Sequence, residues 1–252
     1  MQLHDTAAIV TGAASGLGAA TARALAQAGA SVYGFDLPTA IAAAPSVAGL
    51  SYLPVDVTQE TQVRVAVESA ASGGRPLRVV VNCAGIGNSA RILGRGGVHD
   101  IALFHRIVQI NLVGSFTVMA LACEQIALTQ ADESGQRGVV INTASVAAFD
   151  GQIGQAAYAS SKGGIVALTL PAARDLAQYG IRVCTIAPGI IDTPMLATVS
   201  DEIRAGLADG IPFPKRLGRP DEYAQLALMI IAHDYLNGEV IRMDGALRMA
   251  PR

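Results

Sequence analysis

Seven short runs rich in valine and isoleucine punctuate the chain, and longer alanine-rich stretches of helical periodicity lie between them. The runs are "TAAIVT" (6–11), "SVYGFD" (31–36), "SYLPVD" (51–56), "LRVVVN" (77–82), "GVVINT" (138–143), "IRVCTI" (181–186) and "EVIRMD" (239–244). Helices are predicted near 17–29, 59–71, 100–130, 157–179 and 221–232. Apolar strands alternating with helices indicate βαβ units, whose parallel sheet is buried on both faces. Six or seven strands in 252 residues predict an α/β fold with one domain over 1–252. Its core would be a doubly wound, parallel, seven-stranded sheet with helices on both faces. Ligands of such sheets bind beyond the carboxyl ends of the strands. Two segments break the alternation on that side, a glycine-rich loop at 86–99 and an excursion at 190–219, and the second is a candidate substrate loop. Pro171 should kink or end the helix that contains it.

Composition narrows the function. Half the residues are hydrophobic and only 15% are charged, enough for a large core and for apolar surface covered by partner subunits. With a net charge of −2 and no basic run, nothing points to nucleic acid. Cys83, Cys123 and Cys184 are scattered through apolar segments, as free thiols of a reducing compartment are. The four histidines show no zinc-ligand spacing, so no metal is expected. "MQLHDTAAIVTG" enters a strand almost at once, leaving no room for a signal peptide, and no continuous apolar run is long enough to span a membrane. These features predict a soluble protein of the cytoplasm.

"TGAASGLG" (11–18) leads from the first strand straight into a helix. Gly12 permits a sharp turn, and Gly16 and Gly18 let backbone approach a pyrophosphate at the helix N-terminus. The first 150 or so residues would be the dinucleotide-binding half. Asp36 ends the second strand, where a carboxylate accepts the adenosine ribose hydroxyls and repels a 2′-phosphate. With no lysine or arginine beside it, the expected cofactor is NAD. Asp56 ends the third strand and could accept from the adenine amino group, or serve only as a helix cap.

"YASSK" (158–162) sets a tyrosine and a lysine one helical turn apart. A cation beside a phenol favours the phenolate, and lowering its pKa from about 10 would suit it to proton transfer near neutral pH.

Together "TGAASGLG", "NCAG" (82–85), Asn111 in "QINLVGSF", Ser145 in "NTASVAAF", "YASSK" and "APG" (187–189) resemble the ordered motifs of the short-chain dehydrogenase/reductase family, over essentially the whole chain. The resemblance implies a Rossmann-like sheet and a reaction between a secondary alcohol and a ketone. Tyr158 would be the acid/base, Lys162 would tune it and bind the nicotinamide ribose, Ser145 would hold the substrate oxygen, and Asn111 would hold a water of a proton relay. Gly12, Ser15, Gly16, Leu17, Gly18, Asp36, Asp56, Val57, Cys83, Ala84, Gly85, Pro188, Gly189, Ile191 and Thr193 would line the NAD site with Tyr158 and Lys162. Gln152 and Gln155 would meet substrate beside Ser145 and Tyr158. Longer stretches, such as "IPFPKRLGRPDEYAQL" and "NGEVIRMDGALRM", are similar to the type II 3-hydroxyacyl-CoA dehydrogenase subgroup, also called type 10 17β-hydroxysteroid dehydrogenases. This points to a 3-hydroxyacyl-CoA, with a hydroxysteroid or another bulky hydrophobic alcohol as alternative. A non-catalytic nucleotide sensor is opposed by the intact Tyr158, Lys162 and Ser145, and an NADP-dependent carrier-protein reductase by Asp36. Cys83 replaces an asparagine of the broad family pattern, and Asp192 stands where glycine is expected. Arg91, Arg95, Lys215, Arg216 and Arg219 are weak candidates for CoA phosphates. The resemblance also implies a homotetramer, in which the terminal "LRMAPR" could reach a neighbour.

Overall fold

A computed structural model describes residues 1–196 and 206–251. Seven parallel strands form one sheet: β1 (Ala7–Thr11), β2 (Ser31–Asp36), β3 (Leu50–Pro54), β4 (Leu77–Asn82), β7 (Gly138–Thr143), β8 (Ile181–Pro188) and β9 (Val240–Met243). Their spatial order is β3-β2-β1-β4-β7-β8-β9. The order reverses between β1 and β4, which opens a crevice there at the strands' carboxyl ends. Strands β1, β4, β7 and β8 are almost wholly buried, which is why they read as unbroken apolar runs.

Successive side chains point to opposite faces, so β1 sends Ile9 into one core and Ala8 and Val10 into the other. The first core is covered by α3 (Glu60–Ala71), α5 (Ser115–Ala127) and α6 (Ala156–Ala177). The second is covered by α1 (Gly16–Gln27) and α7 (Pro220–Ala232). The predicted elements all form, with ends shifted by a few residues. Pro171 neither ends α6 nor stops its run to Ala177. A short α2 (Pro38–Ala42) and a hairpin of β5 (Leu93–Gly94) and β6 (Gly97–Val98) are additions.

The helical stretch expected at 100–130 is composite. α4 (Ile101–Val108) passes through a π-helical segment, Gln109–Gly114, into α5. Ile101–Ala127 is long and apolar enough to cross a bilayer, which a search for continuous apolar runs misses because Asn111, Ser115 and Thr117 interrupt it. In the fold its α5 part is a core helix, burying Val118, Met119, Ala122, Cys123 and Ile126.

Near the amino end of β8, Arg182 is only 6% exposed. Its Nη atoms donate to the carbonyls of Ile230, Ile231 and Leu236, and its Nε to Gln136 Oε1. The end of α7 therefore finds a buried cation for its orphan carbonyls. Arg182→Met leaves these acceptors dry and should cost about 3 kcal/mol of stability. Denaturant unfolding would show it, with activity per folded molecule unchanged.

Candidate active site

One cavity of about 780 Å³ runs along the carboxyl ends of the strands, from Asp36 to Tyr158. Every residue expected at the dinucleotide and substrate sites lines it, and Asn111 does not. Asn111 is fully buried behind the wall, in the π-helical segment. Its Oδ1 accepts from Ile86 N–H (2.8 Å), and its Nδ2 donates to Ile86 O (2.9 Å) and to Ser161 Oγ (3.1 Å). The expected relay asparagine thus clamps the "NCAG" loop against α6. A helix that widens to π geometry often marks a functional position. No composition signal announced this one.

The phosphate end follows from the backbone. Gly12 and Gly16 have φ of +65° and +52°, as a tight turn into α1 requires. A Cβ on Gly18 would fall 2.1 Å from Gly12 O, so that glycine also serves close packing of loop on helix while it lines the cavity. Ser15, the N-cap of α1, makes no side-chain cap bond, so the first N–H groups of the helix retain no internal acceptor. Asp36 Oδ2 accepts from Ala14 N–H and Oδ1 from Leu37 N–H, which ties the glycine loop to β2. Each carboxylate oxygen keeps a further lone-pair direction. Asp56 Oδ1 accepts from the N–H and hydroxyl of Thr58, while Gln59 is the N-cap of α3. An anion-seeking helix end, bare glycine backbone and a carboxylate acceptor in one cavity fit a dinucleotide.

At the other end, Ser145 Oγ accepts from Ala147 N–H (3.1 Å), which leaves its own proton to donate. Tyr158 stands beside it in the first turn of α6, with Lys162 Nζ 5.9 Å from its ring centroid. Lys162 is 5% exposed and donates to Thr143 O at 2.7 Å. A Cβ on Gly85 would lie 3.1 Å from Asn111 Oδ1 and 3.6 Å from Lys162 Nζ, so glycine lets that loop pass close over the pair without displacing Asn111. Burial pushes the Tyr158 phenol above its ordinary value, and the Ser145 hydroxyl opposes this. The lowering expected from Lys162 does not set the direction: desolvation of the phenolate does, and the ammonium is engaged by Thr143 O.

Thr143 and Tyr223 escaped the sequence reading. Thr143 Oγ1 donates to Asn82 O at 2.5 Å, so Tyr223 O–H must be the donor in its 2.7 Å contact with Thr143 Oγ1. Cys83 Sγ donates in turn to Tyr223 Oη at 3.8 Å. This buried chain fixes the strand end that presents the acceptor of Lys162. Its one sequence cue was "NTAS" itself.

Gln152 and Gln155 line the cavity as expected of substrate neighbours, with Gln152 Nε2 donating to Ala250 O and Gln155 Oε1 accepting from Gln152 N–H. Arg216 is forked onto Glu222 at 2.6 and 3.0 Å, holding that carboxyl down at about 2, and Arg219 shares the same carboxylate. Both are engaged by Glu222, while Arg91, just before β5, and Arg95, between β5 and β6, stay exposed. Asp192 N–H donates to Gly218 O, joining the two ends of the substrate loop. Residues 197–205 of that loop lie outside the described residues.

Residues 6–204 match the profile of the short chain dehydrogenase family. The chain belongs to that family. It is 49% identical over 249 residues to human 3-hydroxyacyl-CoA dehydrogenase type-2, spanning 97% of this chain and 95% of that protein. The Drosophila melanogaster protein of the same name is 48% identical over 254 residues, with 99% and 100% covered. A crystal structure of 3-hydroxyacyl-CoA dehydrogenase type-2 from Mycobacterium avium superposes with a TM-score of 0.91 at 42% identity, over 98% of each chain. This short-chain dehydrogenase is therefore an oxidoreductase acting on CH–OH donors, of a family that generally uses NAD(H) or NADP(H).

Burial holds the Lys162 pKa down at about 8, against about 10.4 in an unfolded chain. Below about pH 8 both states carry the proton, and folding must bury the charge. Between about pH 8 and about pH 10.4 the folded protein loses it first, so stability rises with pH. Lys162→Met should abolish activity yet unfold later at pH 7, by about 2 kcal/mol. Guanidinium titrations should show that advantage gone by about pH 10.

Proposed function

We propose that this dehydrogenase uses NAD to interconvert a 3-hydroxyacyl-CoA and its 3-oxoacyl-CoA. One observation carries the reading: a single cavity holds Asp36 at one end and Ser145, Tyr158 and Lys162 at the other. The substrate class is supported by the likeness to proteins named for that reaction. Asp36 supports NAD, since its carboxylate would meet a 2′-phosphate with like charge and no lysine or arginine flanks it.

When bound, the nicotinamide supplies the hydride acceptor or donor. The chain's own residues manage the oxygen. Ser145 donates its free proton to the substrate oxygen and orients it. In oxidation Tyr158, as the phenolate, takes the alcohol proton and becomes the phenol, and in reduction the phenol gives its proton to the substrate oxygen. The two hydroxyls stabilise the developing oxyanion from fixed positions. Lys162 holds positive charge beside the phenol, favouring the phenolate at the moment it forms. Asn111 acts at one remove, by keeping Ile86 and the start of α6 in register. A cytoplasmic location and a homotetramer belong to the same proposal. The second is supported by Phe116 on α5 and Leu170 on α6, apolar side chains about half exposed.

The test is NADH oxidation with acetoacetyl-CoA beside a steroid ketone at matched concentration. Turnover of the CoA ester should exceed that of the steroid, and Tyr158→Phe should lower it by about 10²- to 10⁴-fold. Steroid turnover without CoA-ester turnover overturns the substrate, a marked NADPH preference overturns the cofactor, and unchanged Tyr158→Phe rates overturn the mechanism.

A further inference from the structure

The last described residues, Leu247–Pro251, fold back over their own chain. After β9, Gly245 and Ala246 both adopt left-handed backbone, φ +60° and +65°. Two such residues in succession reverse the chain, and for Ala246 the conformation is strained. The turn is held by Asp244, whose Oδ1 accepts from Ala246 N–H and whose carbonyl accepts from Leu247 N–H, both at 3.0 Å. Gly245 sits under the substrate loop: its carbonyl accepts from Phe213 N–H, and a Cβ would fall 2.6 Å from Ile211 Cγ2. Beyond the turn the tail alternates, with Leu247 buried, Arg248 exposed, Met249 partly buried and Ala250 exposed.

The tail crosses to the opposite wall of the cleft. Ile153 N–H donates to Pro251 O and Gln152 Nε2 to Ala250 O, both at 3.0 Å. Arg242 braces the crossing from below, donating to Asp150 (2.7 Å), Asp244 (2.8 Å) and Leu247 O (3.0 Å), with its guanidinium over the Phe149 ring. Residues 149–153 lie between Ser145 and Tyr158, so the segment gripped by the tail borders the reacting oxygen's site. Met249 itself lines the main cavity.

We propose that the tail, Leu247–Pro251, is the end wall of the substrate cleft, and that Met249 sets how long a substrate chain the enzyme accepts. This deepens the dehydrogenase reading above and rests on it. A strained turn tied to both walls is the cause, because it delivers one flexible thioether to the cleft between the 150s loop and the 211–213 segment.

The experiment compares kcat/KM for short, medium and long substrates in two series, 3-oxoacyl-CoA thioesters and simple methyl ketones. Met249→Ala should raise the long-to-short ratio roughly tenfold, as removal of wall methylenes does, and Met249→Phe should lower it. Removal of residues 248–252 should flatten the dependence, and NADH affinity should hold throughout. Ratios unchanged in both Met249 variants overturn the inference, even if the truncated chain does not fold. Wild-type turnover of ketones alone would instead sink the CoA-ester reading, while the length ratio remains readable. Should neither series turn over, the reading of function fails by itself. Thermal shifts with short and long alkanols then report the tail, and shifts equal in wild type and Met249→Ala overturn it.

Discussion

The carbonyl of Thr143 is where the architecture and the chemistry meet. It is the acceptor for a lysine that the fold takes almost completely out of water. A buried ammonium with one protein partner needs that partner held still. Thr143 is held from several sides: β7 lies between β4 and β8, its hydroxyl is bonded to Asn82 O, and Tyr223 reaches it from α7. The carboxyl ends of two strands and one helix of the second core thus converge on the atom that aims Lys162. Desolvation lowers the lysine's pKa and raises that of Tyr158, so burial alone drives both groups toward neutrality. In a cleft shaped in this way a lone charge is penalised, while a charge that meets an opposite charge or a fixed donor interacts more strongly than it would in water.

The fold was largely legible because parallel, doubly covered strands leave a simple trace. A strand buried on both faces, as β1, β4, β7 and β8 are, has no polar alternation to confuse, and all seven strand runs appeared at nearly the observed bounds. The site residues that project side chains into the cleft were legible for a related reason, since side-chain chemistry is what a sequence records. Backbone partners leave no such record. The Thr143 carbonyl could belong to any residue, and the clamp made by Asn111 depends on the main chain of Ile86. The π-helical turn at Gln109–Gly114 differs from an ordinary helix by a shift in pairing, not by residue type.

Other misses arose where two explanations share a residue type. A glycine that admits a ligand and a glycine that admits another loop look alike, and Gly18 both lines the cavity and packs against Gly12 O. The arginines near 215–219 suggested phosphate contacts until Glu222 took Arg216. The return of "LRMAPR" onto its own chain was not legible because nothing in that stretch encodes the double left-handed turn before it. That turn involves an alanine, a residue with no preference for such backbone. Local rules fail there because tertiary contacts, through Asp244 and Arg242, decide the conformation.

Two buried cations show how a structural charge can be told from a functional one. Arg182 spends its donors on Gln136 and three carbonyls at the end of α7, in a planar fork that suits several fixed acceptors at once. Lys162, among the described residues, gives one hydrogen bond of the three that its ammonium can make. The first arrangement is complete and lies away from the cavity; the second is incomplete and forms part of its wall. A polar group kept dry and short of partners is costly in a folded chain, so its position needs a compensating gain outside stability. The gain is available only where a negative charge arises, and the Tyr158 phenol, one helical turn away, is the group on which it can arise.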